Sequence, residues 1–273
     1  MKKKFAIIGN PITHSLSPVL HNYWFEKYNV EANYSLLNVD EKDLIETIKK
    51  IRNKEINGIN VTLPYKQKII PFVDQLVNDA KLTNSVNTIF LDNTNTVIGE
   101  NTDVFGLQAA YLKEITSAEN KKALVIGAGG VSPSVIFSLQ KSKITNITTV
   151  NRTREKSIFL KKRFNFLHVL DWKSLPKELS NFDIIINATS LGLKDGVDFD
   201  FNFENVKDKA IYIDTIYNPL ETKTLKFLKE KNIKTFNGLN MFIYQGQKTF
   251  YLWNKINPEI DDKLIDLLVS KLK

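Results

Sequence analysis

The chain has 273 residues, 42% of them hydrophobic and 25% charged, the composition of a soluble globular protein with enough length for one large domain or two ordinary ones. It contains no cysteine, which excludes disulfides, thiolate nucleophiles and cysteine zinc sites, and the three histidines (His14, His21, His168) lack the spacing of paired metal ligands. The net charge of +8 comes from lysines spread along the chain and mixed with acids, which argues against a nucleic-acid patch while favouring small anions.

The opening MKKKFAIIGNP imitates a secretory signal, but its apolar stretch, residues 5–8, is too short and Gly9-Asn10-Pro11 ends it. No apolar run approaches the roughly 18 residues that span a bilayer, so the sequence reads as cytoplasmic, without a membrane partner. In chain order, residues 4–8 form a predicted strand, 17–28 a helix after a Ser-Pro start, and 33–39 a strand. Asp40 then caps a helix to residue 52 with Leu44, Ile45, Ile48 and Ile51 on one face. A strand at 58–63 is followed by helical turns to 82, and strands 86–91 and 96–98 are joined by the turn DNTN.

A long helix, 104–119, leads into a second series: strand 123–126, helix 131–141, strand 147–150, helix 154–164, strands 182–186 and 210–214, and helix 222–231. Two helices, 241–253 and 259–272, close the chain. Alternating β and α elements imply mostly parallel sheets with right-handed crossovers. The expected architecture is α/β with two α/β domains and a cleft between them. A mostly parallel substrate-binding and catalytic domain spans 1–102 and a Rossmann-type nucleotide domain 103–237; helices in 238–273 return to the first.

The stretch GINVTLPYKQK, residues 58–68, ends an apolar strand and then delivers Asn60, Thr62 and Lys66. Polar groups at strand ends of open α/β sheets line ligand crevices, and Lys66 is a candidate proton donor; the plain alternative is a solvated lysine starting a surface helix. Residues 86–103 read as a hairpin with an Asn-Thr pair at each end. A hairpin brings its ends together, so Asn87 should approach Asp103, a residue that also suits an ordinary helix cap.

In KALVIGAGGVSPSV, residues 122–135, an apolar strand runs into a glycine turn and a helix. Gly127 permits the tight turn, Gly129 lets backbone approach a pyrophosphate, and Gly130 lies at the helix start, with Ala128 and Val131 in the same loop. Ser132 replaces the third fingerprint glycine, and Pro133 falls in the first helical turn, where its missing N–H is tolerated. The next strand ends in Asn151, Arg152 and Thr153, with Arg154 and Lys156 beyond. An NAD site would place an acid there; cations and donors suit a 2′-phosphate, so NADP is the expected cofactor. Thr153 is equally placed to cap the helix. Asn187, Thr189 and Ser190 end the following strand, on the nicotinamide side.

Ten-residue GNPITHSLSP together with NVTLPYK, VNTI, GENTD, GAGG, NRT, NATSLG, DTIYNP and GLNMFIYQG, in this order and spacing, resembles the shikimate dehydrogenase family over almost the whole chain. The resemblance implies NADPH-dependent, reversible reduction of 3-dehydroshikimate to shikimate in aromatic amino-acid biosynthesis. It implies that Ser15 and Ser17 bind the substrate carboxylate, and that Asn60, Thr62, Asn87 and Gln245 bind its hydroxyls and ring. Lys66 and Asp103 would form the catalytic pair, Tyr217 would close on substrate and nicotinamide, and Thr215 and Gly238 would approach the nicotinamide end. The two serines also read directly as hydroxyl donors in a Gly/Pro-rich loop, or as caps of the helix at Pro18.

The chain departs from the family pattern at Val104, where glycine is usual, at NSVNT in place of GAVNT, at Pro133, where arginine often stands, and at Asn240 within GLNM. The changes at Pro133 and Asn240 do not touch Lys66 or Asp103. Two rivals remain: a broader dehydrogenase taking quinate as well as shikimate and NAD as well as NADP, whose use of NAD is opposed by Arg152, and a non-catalytic NADP-binding regulator, opposed by the intact Lys66 and Asp103. The expected partner is a small-molecule substrate, with no nucleic acid, and the protein a monomer or homodimer.

Overall fold

The structure, a computed structural model, describes residues 2–113, 115, 120–193 and 196–272. The chain divides into two compact units, the first built from the residues up to Gly106 together with Ile243–Lys271, the second from Leu107–Phe242.

The first unit is a six-stranded sheet. Its strands are β1 (Lys3–Gly9), β2 (Ala32–Asn38), β3 (Gly58–Val61), β4 (Gln75–Leu76), β5 (Thr88–Leu91) and β6 (Val97–Glu100), in the order β2-β1-β3-β5-β6-β4. The β1, β2 and β3 pairings are parallel, whereas β5 runs antiparallel to both β3 and β6. Predicted strand 58–63 is cut short at Val61, where a turn begins: Tyr65 N–H donates to Thr62 O, and Thr62 N–H donates to Ile8 O. The short strand β4 falls within the predicted helical turns; its two residues add to the edge of β6.

Helices α1 (Ser17–Lys27), α2 (Leu44–Arg52) and α3 (Asn78–Thr83) connect these strands, and α4 (Asp103–Leu107) follows β6. A single turn, Glu41–Asp43, precedes α2, and Asp40 makes no side-chain capping bond there. Its carboxylate instead accepts from Asn10 Nδ2 at 3.5 Å. The predicted helix 104–119 starts one residue earlier, at Asp103, and widens into π turns at Gln108–Leu112; residues 114 and 116–119 lie outside the described residues.

Ala6, Ile8, Ile48, Ile51, Ile59, Ile69 and Ile89 fill one side of this sheet. An aromatic layer fills the other. Phe5 stacks on Phe25 and Trp253, and His21 lies flat on Tyr34, centroids 4.6 Å apart and planes 3° from parallel. His21 is fully enclosed by these rings and by Trp24 and Phe250. Its Nδ1 has no hydrogen-bond partner among the described residues, and burial pushes its pKa down to about 3.

The tip of the β5–β6 hairpin is closed locally. Asp92 Oδ1 accepts from Thr94 N–H and Thr96 N–H, both at 2.8 Å, and Asn95 sits at φ +61°. Asn tolerates this left-handed conformation better than other residues with a Cβ.

The second unit contains β7 (Lys122–Ile126), β8 (Asn146–Val150), β9 (His168–Leu170), β10 (Ile184–Asn187), β11 (Ile211–Asp214) and β12 (Lys234–Phe236). They form an all-parallel sheet in the order β12-β11-β10-β7-β8-β9. This is the doubly wound order of dinucleotide-binding sheets, with a switch point between β7 and β10. Continuous runs such as Ile184, Ile185 and Ile186 suit strands buried on both faces. Strands β9 and β12 escape the sequence reading because each contributes only three residues at a sheet edge, too few for a period to register.

Helices α5 (Ser132–Lys141), α6 (Arg154–Arg163), α7 (Leu175–Glu178) and α8 (Lys223–Glu230) belong to this unit. Helix α9 (Leu239–Asn254) starts in it and continues into the first unit, and α10 (Asp262–Ser270) follows. Asp261 caps α10 through Leu264 N–H at 2.8 Å and also accepts from Tyr23 and Lys27 of α1, fastening the C-terminal helix to the first unit. No helix among the described residues is long and apolar enough to cross a membrane.

Candidate functional site

Strand register assembles the polar cluster of the first unit. Asn60 pairs with Thr88 across β3 and β5, and Thr88 with Glu100 across β5 and β6. The same end of three strands therefore carries Asn60, the Asn87-Thr88 pair and the Asn101-Thr102-Asp103 run. Lys66 joins them because its carbonyl accepts from Val86 N–H at 2.8 Å, tying the turn after β3 to the start of the hairpin.

Lys66 Nζ donates to Asp103 Oδ2 at 2.5 Å, and both side chains are largely buried, 12% and 7% exposed. The other carboxylate oxygen, Oδ1, accepts from Asn87 Nδ2 at 2.9 Å. Asn101 Oδ1 accepts from Asp103 N–H at 3.0 Å, and Asn101 Nδ2 donates to Thr83 Oγ1 and Ser85 O. The carboxylate is thus fixed through both backbone and side chain. The Lys66 ammonium makes no other hydrogen bond among the described residues, so two of its three N–H donors remain for a ligand.

Asn87 is a junction. Its Oδ1 accepts from Thr102 N–H at 2.7 Å, and its Nδ2 also reaches Gln245 Oε1 at 3.2 Å. Thr62, half-buried, has a hydroxyl with no partner among the described residues. Ser15 Oγ accepts from Ser17 N–H at 3.2 Å and lies 3.1 Å from Ser17 Oγ, so the pair is pre-arranged as neighbouring donors. The N-cap position of α1 is Leu16, and no side chain caps it, which leaves the serines outside a capping role.

Asn60 departs from the expected substrate-binding role. It is 5% exposed and its amide is engaged on both sides: Oδ1 accepts from Tyr34 O–H at 2.8 Å, and Nδ2 donates to Asn87 O at 2.9 Å and Thr88 Oγ1 at 3.1 Å. It supports Asn87 from below. Facing the interior follows from strand alternation: Asn60 lies on the face shared with Tyr34 and His21, while its neighbours Ile59 and Val61 enter the opposite core.

In the second unit the glycine loop joins β7 to α5. Gly127 has φ +120°, and a Cβ there would lie 2.7 Å from Ala188 O, so this loop and the one after β10 touch at the switch point. A Cβ at Gly129 would meet nothing within 4 Å, which leaves open space over the loop for a phosphate. Gly129 N–H donates to Ser132 Oγ at 3.0 Å, giving Ser132 a loop-closing role in place of the third glycine. Gly130 and Val131 continue the loop to α5. Asn151 ties this loop to the next, accepting from Ala128 N–H at 3.2 Å and donating to Thr153 O at 2.9 Å.

The side chains of Arg152 and Lys156 are exposed and make no hydrogen bond or ion pair among the described residues. Arg154, by contrast, is paired with Asp171 at 2.7 Å. Thr153 occupies the N-cap position of α6 without a side-chain capping bond. Arg152 is therefore the guanidinium left available beside the glycine loop. A dinucleotide with a 2′-phosphate fits this set: an open glycine turn, a helix start and an uncommitted cation.

Thr189 and Thr215 both turn onto Asn187. Thr189 Oγ1 donates to Asn187 Oδ1 at 2.7 Å, and Thr215 Oγ1 donates to Asn187 O at 2.9 Å. Their hydroxyls thus order the two loops. Asn187 Nδ2 donates to Asp214 Oδ1 at 3.1 Å, and Asp214 also accepts from Ile216 N–H and Thr222 Oγ1, each at 3.0 Å. No cation among the described residues faces Asp214, and burial pushes its carboxyl up to about 6. Tyr217 stacks on Phe242 with centroids 4.6 Å apart. A Cβ on Gly238 would come within 2.3 Å of Thr215 O, so glycine is required there for the close passage of two backbones.

The family model described as "Shikimate dehydrogenase substrate binding domain" matches residues 7–89, and the model "Shikimate / quinate 5-dehydrogenase" matches residues 110–194. A relative from Pelagibacter ubique, named shikimate dehydrogenase (NADP(+)), is 46% identical over 98% of this chain and 99% of its own length. A crystal structure of a shikimate dehydrogenase in complex with NADP+ superposes with a TM-score of 0.91 at 34% identity, covering 100% of this chain and 96% of the other. The Thermus thermophilus shikimate 5-dehydrogenase, solved with NADP(H) and shikimate, gives a TM-score of 0.88 at 28% identity, covering 99% and 100% of the two chains.

Proposed function

The chain belongs to the shikimate dehydrogenase family, and from that premise we propose that it catalyses the NADPH-dependent, reversible reduction of 3-dehydroshikimate to shikimate in aromatic amino-acid biosynthesis. We read it as a cytoplasmic enzyme acting on small anions, as a monomer or homodimer. The observation that carries the reading is the Lys66–Asp103 pair, anchored by Asn87 at the end of three strands. A regulator built on the same fold would have no use for a buried, pre-oriented ammonium and carboxylate.

When bound, NADPH supplies the hydride that turns the ketone carbon into a carbinol. The alkoxide oxygen needs a proton, and Lys66, with two free N–H donors, delivers it; Asp103 holds the ammonium in place and accepts a neighbouring substrate hydroxyl. In the oxidative direction the same pair removes that proton. Ser15 and Ser17 donate to the substrate carboxylate, while Thr62, Asn87 and Gln245 meet the ring hydroxyls. Asn60 takes the supporting role that its full set of internal bonds favours.

Gly127, Ala128, Gly129, Gly130 and Val131 receive the pyrophosphate at the start of α5. Asn151, Arg152, Thr153 and Lys156 receive the adenosine end, with Arg152 on the 2′-phosphate. Thr189, Thr215 and Gly238 shape the loops for the nicotinamide end, and Tyr217 covers it. The test is the appearance of the reduced-nicotinamide absorbance band when shikimate and NADP+ are supplied. Quinate and NAD+ run in parallel should give far weaker signals; no signal with shikimate under any condition would refute the assignment.

A further inference from the structure

We propose that Thr249 is a positioning residue for substrate binding: its hydroxyl pins helix α9 to the strand ends so that Gln245, one turn earlier on the same face, meets Asn87. This rests on the reading of the first unit as a shikimate site.

Thr249 is fully buried, on a helix whose other fully or nearly buried residues, such as Ile243 and Phe250, are apolar. Three threonine hydroxyls converge there, from β5, from the residue just before α4 and from α9. Thr249 Oγ1 lies 2.9 Å from Thr88 Oγ1 and 3.1 Å from Thr102 Oγ1, and Asn60 Nδ2 reaches it at 3.4 Å.

The hydrogen bonds close into one ring. Asn87 Nδ2 donates to Thr102 Oγ1 at 2.9 Å, Thr102 and Thr249 share a hydrogen bond that can run either way, as do Thr249 and Thr88, and Thr88 donates back to Asn87 Oδ1 at 3.1 Å. Each hydroxyl takes part in more than one hydrogen bond, an arrangement in which the bonds polarise one another. Thr249 is the only ring member outside the hairpin segment. It is therefore the member that connects the strand ends to the helix. Residues four apart on a helix share a face, so the bond at Thr249 fixes the height and rotation of Gln245, whose Oε1 lies 3.2 Å from Asn87 Nδ2 and shares the hydrogens of that amide with Thr102 and Asp103. Removing the hydroxyl leaves Thr88 and Thr102 without their partner and frees the helix face to shift.

The experiment compares Thr249→Val, which keeps the shape and removes the hydroxyl, with Thr249→Ser, which keeps the hydroxyl. Steady-state kinetics are measured with shikimate and with NADP+ varied in turn, and NADP+ binding by fluorescence titration. The expected result for Thr249→Val is a KM for shikimate raised by about 5- to 20-fold, the worth of a buried hydrogen bond, with NADP+ affinity within about twofold of wild type. Thr249→Ser should restore KM to within about threefold. Should Thr249→Val fail to fold, Thr249→Ala against Thr249→Ser carries the same contrast. An unchanged KM without the hydroxyl, or a serine variant as poor as valine, overturns the inference alone. Absence of shikimate oxidation by the wild type overturns the site reading and the inference with it.

Discussion

Lys66 and Asp103 stand 2.5 Å apart although 37 residues separate them in the chain. Asp103 is held by Asn87 and Asn101 and Lys66 by the backbone of Val86, so the contact follows from the ends of β3, β5 and β6 rather than from a mobile loop. Preorganisation of this kind stabilises charge without reorganisation cost at the moment of reaction.

Lys66→Ala is expected to lower turnover by about 10²- to 10⁴-fold, the usual worth of a positioned acid–base group. NADP+ affinity should stay the same, because no glycine-loop contact depends on Lys66. Single-turnover reduction of 3-dehydroshikimate checks the chemical step directly, and full turnover in this variant removes Lys66 from the mechanism.

Arg152→Ala is expected to weaken NADP+ binding by about 10- to 100-fold, the range for a lost charge-assisted bond, while barely changing the affinity for NAD+. Calorimetric titration with both nucleotides separates the outcomes. Equal losses for the two would show that Arg152 acts on the adenine or the loop and not on the 2′-phosphate.

His21 predicts an acid-sensitive first unit. Its folded pKa is depressed to about 3, below the 6.5 of an exposed histidine. Above pH 6.5 neither state binds the proton, so the group contributes nothing to the pH dependence. Between 6.5 and about 3 the unfolded chain takes up a proton that the folded one refuses, and stability falls as pH falls, by about 1.4 kcal/mol per pH unit. His21→Phe removes this term. Urea melts between pH 7 and pH 4 should show a shallower acid limb for the variant, and parallel curves would disprove the account.

Asp214 has the opposite sign in the second unit. Burial raises its folded pKa to about 6 from 3.8, so the folded state holds the proton more tightly. Its contribution is favourable below 3.8 and is lost as pH rises through about 6, a difference on the order of 3 kcal/mol. Asp214→Asn should therefore compare better with wild type at pH 7.5 than at pH 4. A stability difference that does not change with pH would contradict it.

The nucleotide loop is legible in the sequence because its requirements are local. Gly127 must take positive φ, the strand before it must be apolar, and both demands fall within a few consecutive residues. The hairpin is legible for a similar reason: an Asn-Thr pair at each end of an alternating run signals that both ends carry polar work. The internal bonds of Asn60 are not legible in the sequence because strand alternation alone cannot say which face carries a ligand, and its polar partner on the inner face, Tyr34, comes from β2, 26 residues earlier. Thr249 gave no signal at all. A threonine in an amphipathic helix looks the same whether it meets solvent or two other hydroxyls, and only the packing of α9 on the strand ends distinguishes them. Asp214 was likewise hidden, since a lone acid after an apolar strand is also the pattern of an exposed strand end.

The antiparallel run of β5 and β6 sets the Asp92–Thr96 bend at the opposite end of the hairpin from Asn87 and Asp103, about 13 Å away for four residues of strand. Because that bend is closed by its own side chain and exchanges nothing with the reactive end, chain length there is decoupled from chemistry. It is the natural place to graft a fluorophore or a purification epitope.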